Sequence, residues 1–417
     1  MRDRGSTATI AGGVTTDRLA IDGGQPVRTE PFPSWPVFDD REERQLLDVL
    51  HSGKWGATAG DKVHTFEQRF AEYQQARFGV CVPNGTLALE LALYALDLGP
   101  GDEVIVPAYT FIATANAVLS TGALPLFVDV DPRTLNIDPV AIEAAITPRT
   151  KAILPVHIAG QPANMDAVLA IARQHNLRVV EDACQAWGAE WQGHRVGALG
   201  DLGAFSFQSG KNITAGEGGI VVTNDPDLHA RCWSLHNVGR VPGGRWYQHE
   251  NLGWNLRMSE WQGAVLLPQL DRLPAATRLR DEAAQYLIDA LGQIEGITPP
   301  IIDERVTQHA WHLFIMRYDS VAFGGHSRDE FLAALQAEGI PGAEGYIPLP
   351  RCPAIPRSIE RLFGTEGLAT LHDCPEADRA SADAVWLGQT VLLADRAALD
   401  DIVAAFWKIK HAWTPAS

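Results

Sequence analysis

The chain has 417 residues, 46% of them hydrophobic and 20% charged, a composition typical of a globular protein with a large and a smaller domain. Its formal net charge of -17 argues against nucleic-acid and anionic-membrane partners, because both require clustered positive charge. The five cysteines are scattered without C-x-x-C spacing, which predicts neither a disulfide framework nor a zinc site. These features favour small-molecule chemistry in a reducing compartment.

The sequence shows no sign of a membrane or secretory segment. No apolar run reaches the roughly 20 residues that a membrane-spanning helix needs, and the first residues lack the apolar stretch of a secretory signal. We therefore expect a cytoplasmic protein with no membrane partner, whose residues 1–19 form a disordered tail.

Strand-like and helical patterns alternate through the first half of the chain. In order they are "GVCV" (79–82), "TLALELALYAL" (86–96), "EVIV" (103–106), "TFIATANAVLS" (110–120), "KAILPV" (151–156), "MDAVLAIARQH" (165–175) and "LRVV" (177–180). Alternation of this kind indicates crossover units around a largely parallel sheet. The sequence therefore predicts an α/β fold.

The pattern becomes mainly helical after about residue 225. The segment 260–291 predicts helices that lead away from the sheet, and a smaller α/β unit follows. Its elements are strand-like "HLFIMRY" (312–318), helical "SRDEFLAALQAEGI" (327–340) and helical "LDDIVAAFWKIKHAW" (399–413). We place the large domain at residues 20–280 and the small C-terminal domain at residues 281–417.

Polar residues follow several strands at the edge where open α/β sheets bind their ligands. Gly85 and Thr86 open a helix directly after the first strand, and a helix N-terminus presents N–H groups to an anion. Asp182 ends a later strand, and Gln185 lies one helical turn beyond it. Each of these groups taken alone is equally typical of a turn, a helix cap or a salt bridge.

Lys211 lies in "SFQSGKNITAGEGG" (206–219), just after the strand-like "GAFSF". A phosphate-binding loop that ends at this lysine would require Gly at position 205 and Ser or Thr at 212, where the chain has Phe205 and Asn212. His309 and His312 lack a third ligand at metal-binding spacing, so we predict no metal site. The remaining hypothesis for Lys211 is covalent catalysis by its amine.

A desolvated lysine is a nucleophile whose natural electrophile is an aldehyde, and pyridoxal 5'-phosphate supplies one. This cofactor also requires a phosphate site, a carboxylate at its ring nitrogen and a surface for its ring. Asp182 would keep the ring nitrogen protonated, and Gln185 would bind the phenolic oxygen. Tyr109 or Phe111 would stack on the ring, and Ser206 would reach the phosphate. The shared strand-end location of these groups predicts a pyridoxal phosphate enzyme.

The motifs, in their order, also make the family recognisable. The segments "GTLALELAL", "VPAYTFIATANAVL", "ILPVHIAGQPANMDAV", "VVEDACQAWGAEWQG", "FSFQSGKNITAGEGGIVVT" and "LGWNLRMSEWQGAVLLPQL" resemble those of the DegT/StrS-like aminotransferases. The resemblance runs from about residue 20 to beyond residue 400. It implies the fold type I architecture of pyridoxal phosphate enzymes, with a large domain around a mostly parallel sheet and a smaller C-terminal domain.

The resemblance also implies roles for single residues. Lys211 is expected to carry the cofactor and Asp182 to pair with the ring nitrogen, with Gln185 beside it. Further expected cofactor contacts are Gly85, Thr86 and Ser206 at the phosphate, Phe111 on the ring and Asn255 donated by the other subunit of a homodimer. Trp254 departs from the small or Tyr side chain that is more usual in the family beside Asn255.

The resemblance predicts an aminotransferase that moves an amino group from L-glutamine or L-glutamate to a keto cyclitol or keto sugar in bacterial secondary metabolism. A cyclitol such as an inosose ranks ahead of a nucleotide-linked sugar, because the acidic chain shows no basic cluster for a diphosphate. Three alternatives stay open, namely a 3-amino-5-hydroxybenzoate synthase-like enzyme, a sugar dehydratase and a non-catalytic sensor. Aromatic candidates for the acceptor pocket are Trp55, Trp187, Trp254, His157, His309 and His312.

Overall fold

The computed structural model describes residues 18–414, so most of the predicted tail lies outside the described residues. The first part of the chain builds a sheet flanked by helices. Its elements are α1 (Asp40–Ser52), α2 (Lys62–Tyr73), β1 (Phe78–Val82), α3 (Gly85–Ala95), β2 (Glu103–Pro107), α4 (Ala113–Thr121), β3 (Leu124–Val128), α5 (Pro139–Ala145), β4 (Thr150–Ile153), α6 (Met165–His175), β5 (Arg178–Asp182), β6 (Glu190–Trp191), β7 (His194–Arg195), β8 (Leu202–Ser206), β9 (Gly219–Thr223), α7 (Pro226–His236) and α8 (Glu260–Leu291).

The main sheet has seven strands in the order β1-β9-β8-β5-β4-β2-β3. The pairs from β8 through β5, β4 and β2 to β3 are parallel, whereas β9 runs antiparallel to both β8 and β1. Six of the seven strands therefore share one direction, and their carboxyl ends meet along one edge. This architecture confirms the predicted α/β fold with a mostly parallel sheet.

Both faces of the sheet are covered, as expected for parallel strands. Val104 and Val106 of β2 pack into a buried cluster with α3 and α4 on one face. Ile105 between them packs into a second cluster, with residues of α2, α6 and α8, on the other face. This burial on both faces explains why the strands are continuous apolar runs in the sequence.

The segment 260–291 forms one helix of 32 residues, whereas the sequence predicted several. Pro268 and Pro274 lie inside it, and each removes a backbone hydrogen bond at a cost of about 3 kcal/mol or more in a helix interior. Buried residues such as Leu266 and Leu270 pack α8 into the cluster shared with α2. We infer that this tertiary packing outweighs the local cost of the two prolines.

The second part of the chain forms a smaller unit. Its elements are β10 (Ile297–Thr298), β11 (Val306–Gln308), β12 (Leu313–Tyr318), α9 (Arg328–Ala337), β13 (Ala343–Glu344), α10 (Ala354–Gly367), α11 (Pro375–Asp383), β14 (Ala384–Gly388) and α12 (Arg396–Trp413). The order β10-β12-β14-β13 forms an antiparallel sheet, and β11 pairs with β6 of the first part.

The first described residues pack on this smaller unit. Leu19 is buried in its core cluster, and the carboxylate of Glu338 accepts hydrogen bonds from the backbone N–H groups of Ala20 (2.8 Å) and Val27 (3.0 Å). The division into residues 20–280 and 281–417 stays a prediction. Among the helices of residues 18–414, none combines the length and apolar character that crossing a membrane requires.

Candidate active site

A cavity of about 830 Å³ opens at the carboxyl ends of β1, β2, β5 and β8. Seven of the eight predicted site residues line it, and Asn255 does not. The seven are Gly85, Thr86, Phe111, Asp182, Gln185, Ser206 and Lys211. Segments more than 120 residues apart in sequence therefore meet at the sheet edge that the order of strands and helices predicts.

The N-terminus of α3 forms one wall of the cavity. The side chain of Asn84 caps this helix by accepting a hydrogen bond from the backbone N–H of Leu87 (2.9 Å). Gly85 lies so close to β8 that a Cβ there would stand 2.6 Å from the Cβ of Ser206. This close approach places the first turn of α3 beside Ser206 on one wall of the cavity, where the N–H groups and the dipole of a helix N-terminus favour an anion.

Asp182 lies at the floor of the cavity and is buried. Its Oδ2 accepts a hydrogen bond from the Thr114 hydroxyl (2.8 Å), and its Oδ1 accepts one from the backbone N–H of Cys184 (3.2 Å). Both contacts fix the orientation of the carboxyl group. The site therefore holds an oriented acceptor for a protonated nitrogen.

Lys211 lies in the loop after β8, and its side chain is half-buried. Burial lowers the pKa of its amine below the ordinary value, and the nearby Asp182 carboxylate partly opposes this shift. Its Nζ lies 5.9 Å from the ring centre of Trp187. Burial also raises the pKa of the Cys184 thiol well above its ordinary value, so that this thiol stays protonated. The lysine is accordingly biased towards its neutral, nucleophilic form.

The amide of Gln185 is held at both ends. Its Oε1 accepts a hydrogen bond from the backbone N–H of Ala159 (2.7 Å), and its Nε2 donates one to the hydroxyl of Tyr346 (3.1 Å). The first contact fixes the amide orientation, because only the oxygen can accept. Gln185 is thereby positioned next to Asp182, and its second amide N–H has no acceptor among the described residues.

The two aromatic candidates for a stacking surface differ in position. The side chain of Phe111 is 55% exposed and lines the cavity. Tyr109 is wholly buried, packed edge-on against Tyr346 and Trp386, and does not line the cavity. Of the two, the structure leaves Phe111 available for a ligand ring.

None of the six predicted acceptor-pocket aromatics lines this cavity. Trp187 and His157 are wholly buried, and His309 is 5% exposed with its ring stacked on Trp311. Trp55 and Trp254 are exposed and lie elsewhere. Packing buries Trp187, His157 and His309 away from this cavity, and the composition of the acceptor pocket stays a prediction.

His157 instead supports the floor of the site. Its Nδ1 accepts a hydrogen bond from Ala163, so its Nε2 donates to the carboxylate of Glu181 (2.9 Å). Glu181 is wholly buried and also accepts three backbone N–H bonds from residues 197–200. The backbone of His157 donates to the carbonyl of Asp182 (3.1 Å), so this buried pair anchors the strand end that presents Asp182.

His312 lies behind Lys211. Its Nδ1 is 3.2 Å from the Oδ1 of Asn212, and its ring packs edge-on against Trp187. Burial, together with the nearby Lys211 and Arg280 cations, holds the pKa of His312 well below its ordinary value. The residues described between 18 and 414 contain no cluster of three or more His, Cys, Asp or Glu side chains able to hold a metal.

Asn255 is exposed, and its backbone pairs with Asn237. Its neighbour Trp254 packs on Tyr94, with 4.6 Å between the ring centres. Because Asn255 lies outside its own chain's cavity, a contact with cofactor would have to be made in another subunit. That role stays a prediction.

Among the site residues that sequence reasoning missed, three make contacts that shape it. Thr114 orients Asp182 from α4, Cys184 lies between Asp182 and Gln185, and Tyr346 arrives from the smaller unit. Cys184 carried a signal, since it directly follows the strand end that was singled out. Thr114 and Tyr346 carried none, because ordinary helix and loop residues show their roles only once the chain has folded.

The residues present fit pyridoxal phosphate. Thr86 in the first turn of α3 and Ser206 at the end of β8 both line the cavity, and a helix N-terminus of this kind suits a phosphate group. The oriented carboxylate of Asp182 suits a protonated ring nitrogen, and the desolvated amine of Lys211 suits an aldehyde. Phosphate, ring and aldehyde sites therefore occur together in one cavity.

Comparison with known proteins agrees with this chemistry. Residues 37–406 match the DegT/DnrJ/EryC1/StrS aminotransferase family. The 3-amino-5-hydroxybenzoate synthase of Amycolatopsis mediterranei is 40% identical over 365 residues, which cover 87% of this chain and 93% of that protein. The L-glutamine:scyllo-inosose aminotransferase of Streptomyces griseus is 38% identical over 412 residues, covering 94% and 97% respectively.

A solved structure agrees as well. The crystal structure of 3-amino-5-hydroxybenzoic acid synthase superposes with a TM-score of 0.83 at 38% identity, covering 92% of this chain and 99% of that chain. The family match and this superposition together confirm the resemblance and the fold that the sequence motifs predicted.

Proposed function

The chain belongs to the DegT/DnrJ/EryC1/StrS aminotransferase family and is a pyridoxal phosphate-dependent aminotransferase, and we propose that it transfers an amino group from L-glutamine to a keto cyclitol. The observation that carries this acceptor class is the charge of the cavity lining. Lys211 is its one cation among the described residues, and Asp182 and Glu217 are its acids. Once Lys211 serves the cofactor, this wall offers no cation to a nucleotide diphosphate, whereas an uncharged polyhydroxylated ring needs none.

We assign roles to the residues as follows. The first turn of α3, Thr86 and Ser206 bind the phosphate, and Phe111 covers the ring. Asp182 holds a proton at the ring nitrogen, and the free N–H of Gln185 binds the phenolic oxygen. When bound, pyridoxal phosphate supplies the electron sink for breaking the Cα–H bond of the amino donor.

Lys211 both carries the cofactor and moves protons. Its neutral Nζ removes a proton from the α-carbon of the donor, and the same nitrogen delivers a proton to the acceptor carbon in the second half-reaction. General acid–base catalysis by a positioned group contributes roughly 10²–10⁴-fold. The lowered pKa of Lys211 suits this role, because only the neutral amine can take up the proton that the same nitrogen afterwards delivers.

The donor and acceptor classes proposed for this chain are taken from its relatives. The Streptomyces griseus relative is an L-glutamine:scyllo-inosose aminotransferase, and we extend its donor and acceptor classes to this chain. A keto sugar acceptor and L-glutamate as donor are the nearest alternatives. A second candidate, an aromatising reaction like that of 3-amino-5-hydroxybenzoate synthase, is favoured by 40% identity and by the superposition at a TM-score of 0.83.

We also propose that the protein is a homodimer. An apolar groove of about 950 Å³ lies beside the Lys211 loop, next to Ser209 and Gly216. Phe38 and Leu47 of the groove are 74% and 42% exposed. The groove therefore presents apolar surface that burial in a subunit interface would stabilise. A second copy that covers this groove would reach the mouth of the cavity and could present Asn255 there.

Labelling tests the assignment of Lys211. Borohydride reduction of the holoenzyme should fix the cofactor to the peptide that carries Lys211, as detected by mass spectrometry. Label on another lysine, or no bound cofactor after reconstitution, would contradict the assignment.

Substrate profiling tests the reaction. The pyridoxamine phosphate form is presented in turn with inososes, keto sugars, keto sugar phosphates and nucleotide-linked keto sugars while the cofactor absorbance is followed. A fast return of the pyridoxal absorbance with inososes is expected. Return with nucleotide-linked sugars alone would overturn the acceptor class, and aromatic product without net amino transfer would favour the second candidate.

Subunit mixing tests the dimer. An Asn255→Ala protomer mixed with a Lys211→Ala protomer should regain one complete site per heterodimer, whereas each parent stays impaired. No recovery in verified mixed dimers would mean that each site is built from one chain.

A further inference from the structure

Tyr346 lines the cavity, and the roles assigned so far do not account for it. Among the described residues that line the cavity, it alone comes from the smaller unit. It follows β13, and the nearby backbone N–H of Leu349 donates to the carbonyl of Ala108 (2.8 Å), which fixes this segment against the large sheet. The smaller unit thus places one phenol directly over the site.

The hydroxyl of Tyr346 has a defined hydrogen-bonding state. Because Oε1 of Gln185 is occupied by the N–H of Ala159, the group that faces Tyr346 is the amide Nε2, which can only donate. The phenolic oxygen is therefore the acceptor in this 3.1 Å contact, and its own O–H is not used. No described residue accepts a hydrogen bond from it.

Packing holds the ring in place. The ring centre of Tyr346 lies 4.6 Å from that of Trp386 and 5.7 Å from that of Tyr109, edge-on in both cases. Burial raises the pKa of Tyr346, and the hydrogen bond from Gln185 partly opposes this shift, so the phenol keeps its proton at neutral pH. The chain consequently presents a fixed, uncharged hydrogen-bond donor to the cavity.

We propose that Tyr346 is a substrate-binding residue whose O–H donates a hydrogen bond to an oxygen atom of the keto acceptor. This inference rests on the proposed function. A ring hydroxyl or ketone oxygen is neutral, and a neutral donor matches it without burying a net charge. The α-carboxylate of the amino donor, in contrast, is an anion whose charge a neutral phenol does not offset. Tyr346 is therefore expected to act in the acceptor half-reaction and not in the donor half-reaction.

The test compares Tyr346→Phe with Tyr109→Phe. The first variant removes the cavity hydroxyl and keeps the ring that packs on Trp386. The second removes a hydroxyl from the same aromatic cluster but outside the cavity. The two half-reactions of each holoenzyme are measured separately by cofactor absorbance, with L-glutamine as donor and scyllo-inosose as acceptor, and thermal unfolding checks that each variant is folded.

For Tyr346→Phe, we expect kcat/KM of the acceptor half-reaction to fall by about 10- to 100-fold, the effect of leaving a buried polar group unpaired. The donor half-reaction and the pH titration of the bound cofactor's absorbance should stay as in the wild type. Tyr109→Phe should leave both half-reactions unchanged.

Three outcomes would overturn the inference. They are an unchanged acceptor half-reaction in Tyr346→Phe, an equal loss in both half-reactions, or a shift in the absorbance titration, which would place the effect on the cofactor through Gln185. Failure of the proposed function is distinguishable from these, because the wild type itself would then not react with inososes.

Discussion

The contact between Gly85 and Ser206 gives a quantitative test of the phosphate site. In Gly85→Ala the new methyl carbon would lie 2.6 Å from Cβ of Ser206 and 3.1 Å from Sγ of Cys184, whereas carbon atoms normally pack at about 3.5–4.0 Å. To relieve this clash, either the start of α3 or Ser206 must move by about 1 Å. Ser206 cannot easily move, because its carbonyl accepts from Trp187 (3.0 Å) and β8 is paired on both sides.

The start of α3 must therefore shift, and this widens the space between the helix N-terminus and the Ser206 hydroxyl. Overpacking of this kind costs about 1–3 kcal/mol of stability. Where cofactor binding must restore the original position of α3 at that cost, the dissociation constant rises by about 5- to 150-fold. We expect the dissociation constant of pyridoxal phosphate to rise within that range when apoenzyme is titrated with cofactor and the absorbance is followed.

Gly56→Ala is the matched control, because a methyl group at Gly56 would meet no atom within 4 Å. It should bind cofactor as the wild type does. If Gly85→Ala also binds cofactor with wild-type affinity, the N-terminus of α3 and Ser206 do not form the phosphate site together.

Two further predictions concern charge. Asp182→Asn keeps the shape of the side chain but removes its charge. Cofactor should still bind, while kcat should fall by about 100-fold because a buried charge-assisted contact is lost. Near-normal turnover would contradict the pairing of Asp182 with the ring nitrogen. Burial lowers the pKa of His309 from 6.5 to about 3. Below pH 6.5 the unfolded chain therefore binds a proton at this residue while the folded chain does not. The stability of the fold falls as the pH falls. Between pH 7 and pH 5, the His309 side chain should lower the free energy of unfolding by about 2 kcal/mol. His309→Asn keeps an acceptor for the N–H of Trp311 but does not titrate, so its urea unfolding should depend less on pH; equal pH dependence in the two proteins would refute the assignment.

The sequence by itself determined the fold class and most of the cavity. Strand and helix periodicity are local properties, and parallel strands bring their carboxyl ends to one edge, so Gly85, Asp182 and Lys211 could be placed together without coordinates. The motif order identified the family for the same reason, since it records which residues follow each strand.

Tertiary structure decided what depends on contacts between distant segments. Gln185 and Tyr346 are 161 positions apart, and no local pattern links them. The same holds for His157 and Trp187, which resembled pocket residues until burial placed them in the core. It also holds for α8, which continues through two prolines because its neighbours pack against it. Periodicity specifies which face of an element is apolar, but the partner of each side chain is fixed only when the elements pack together.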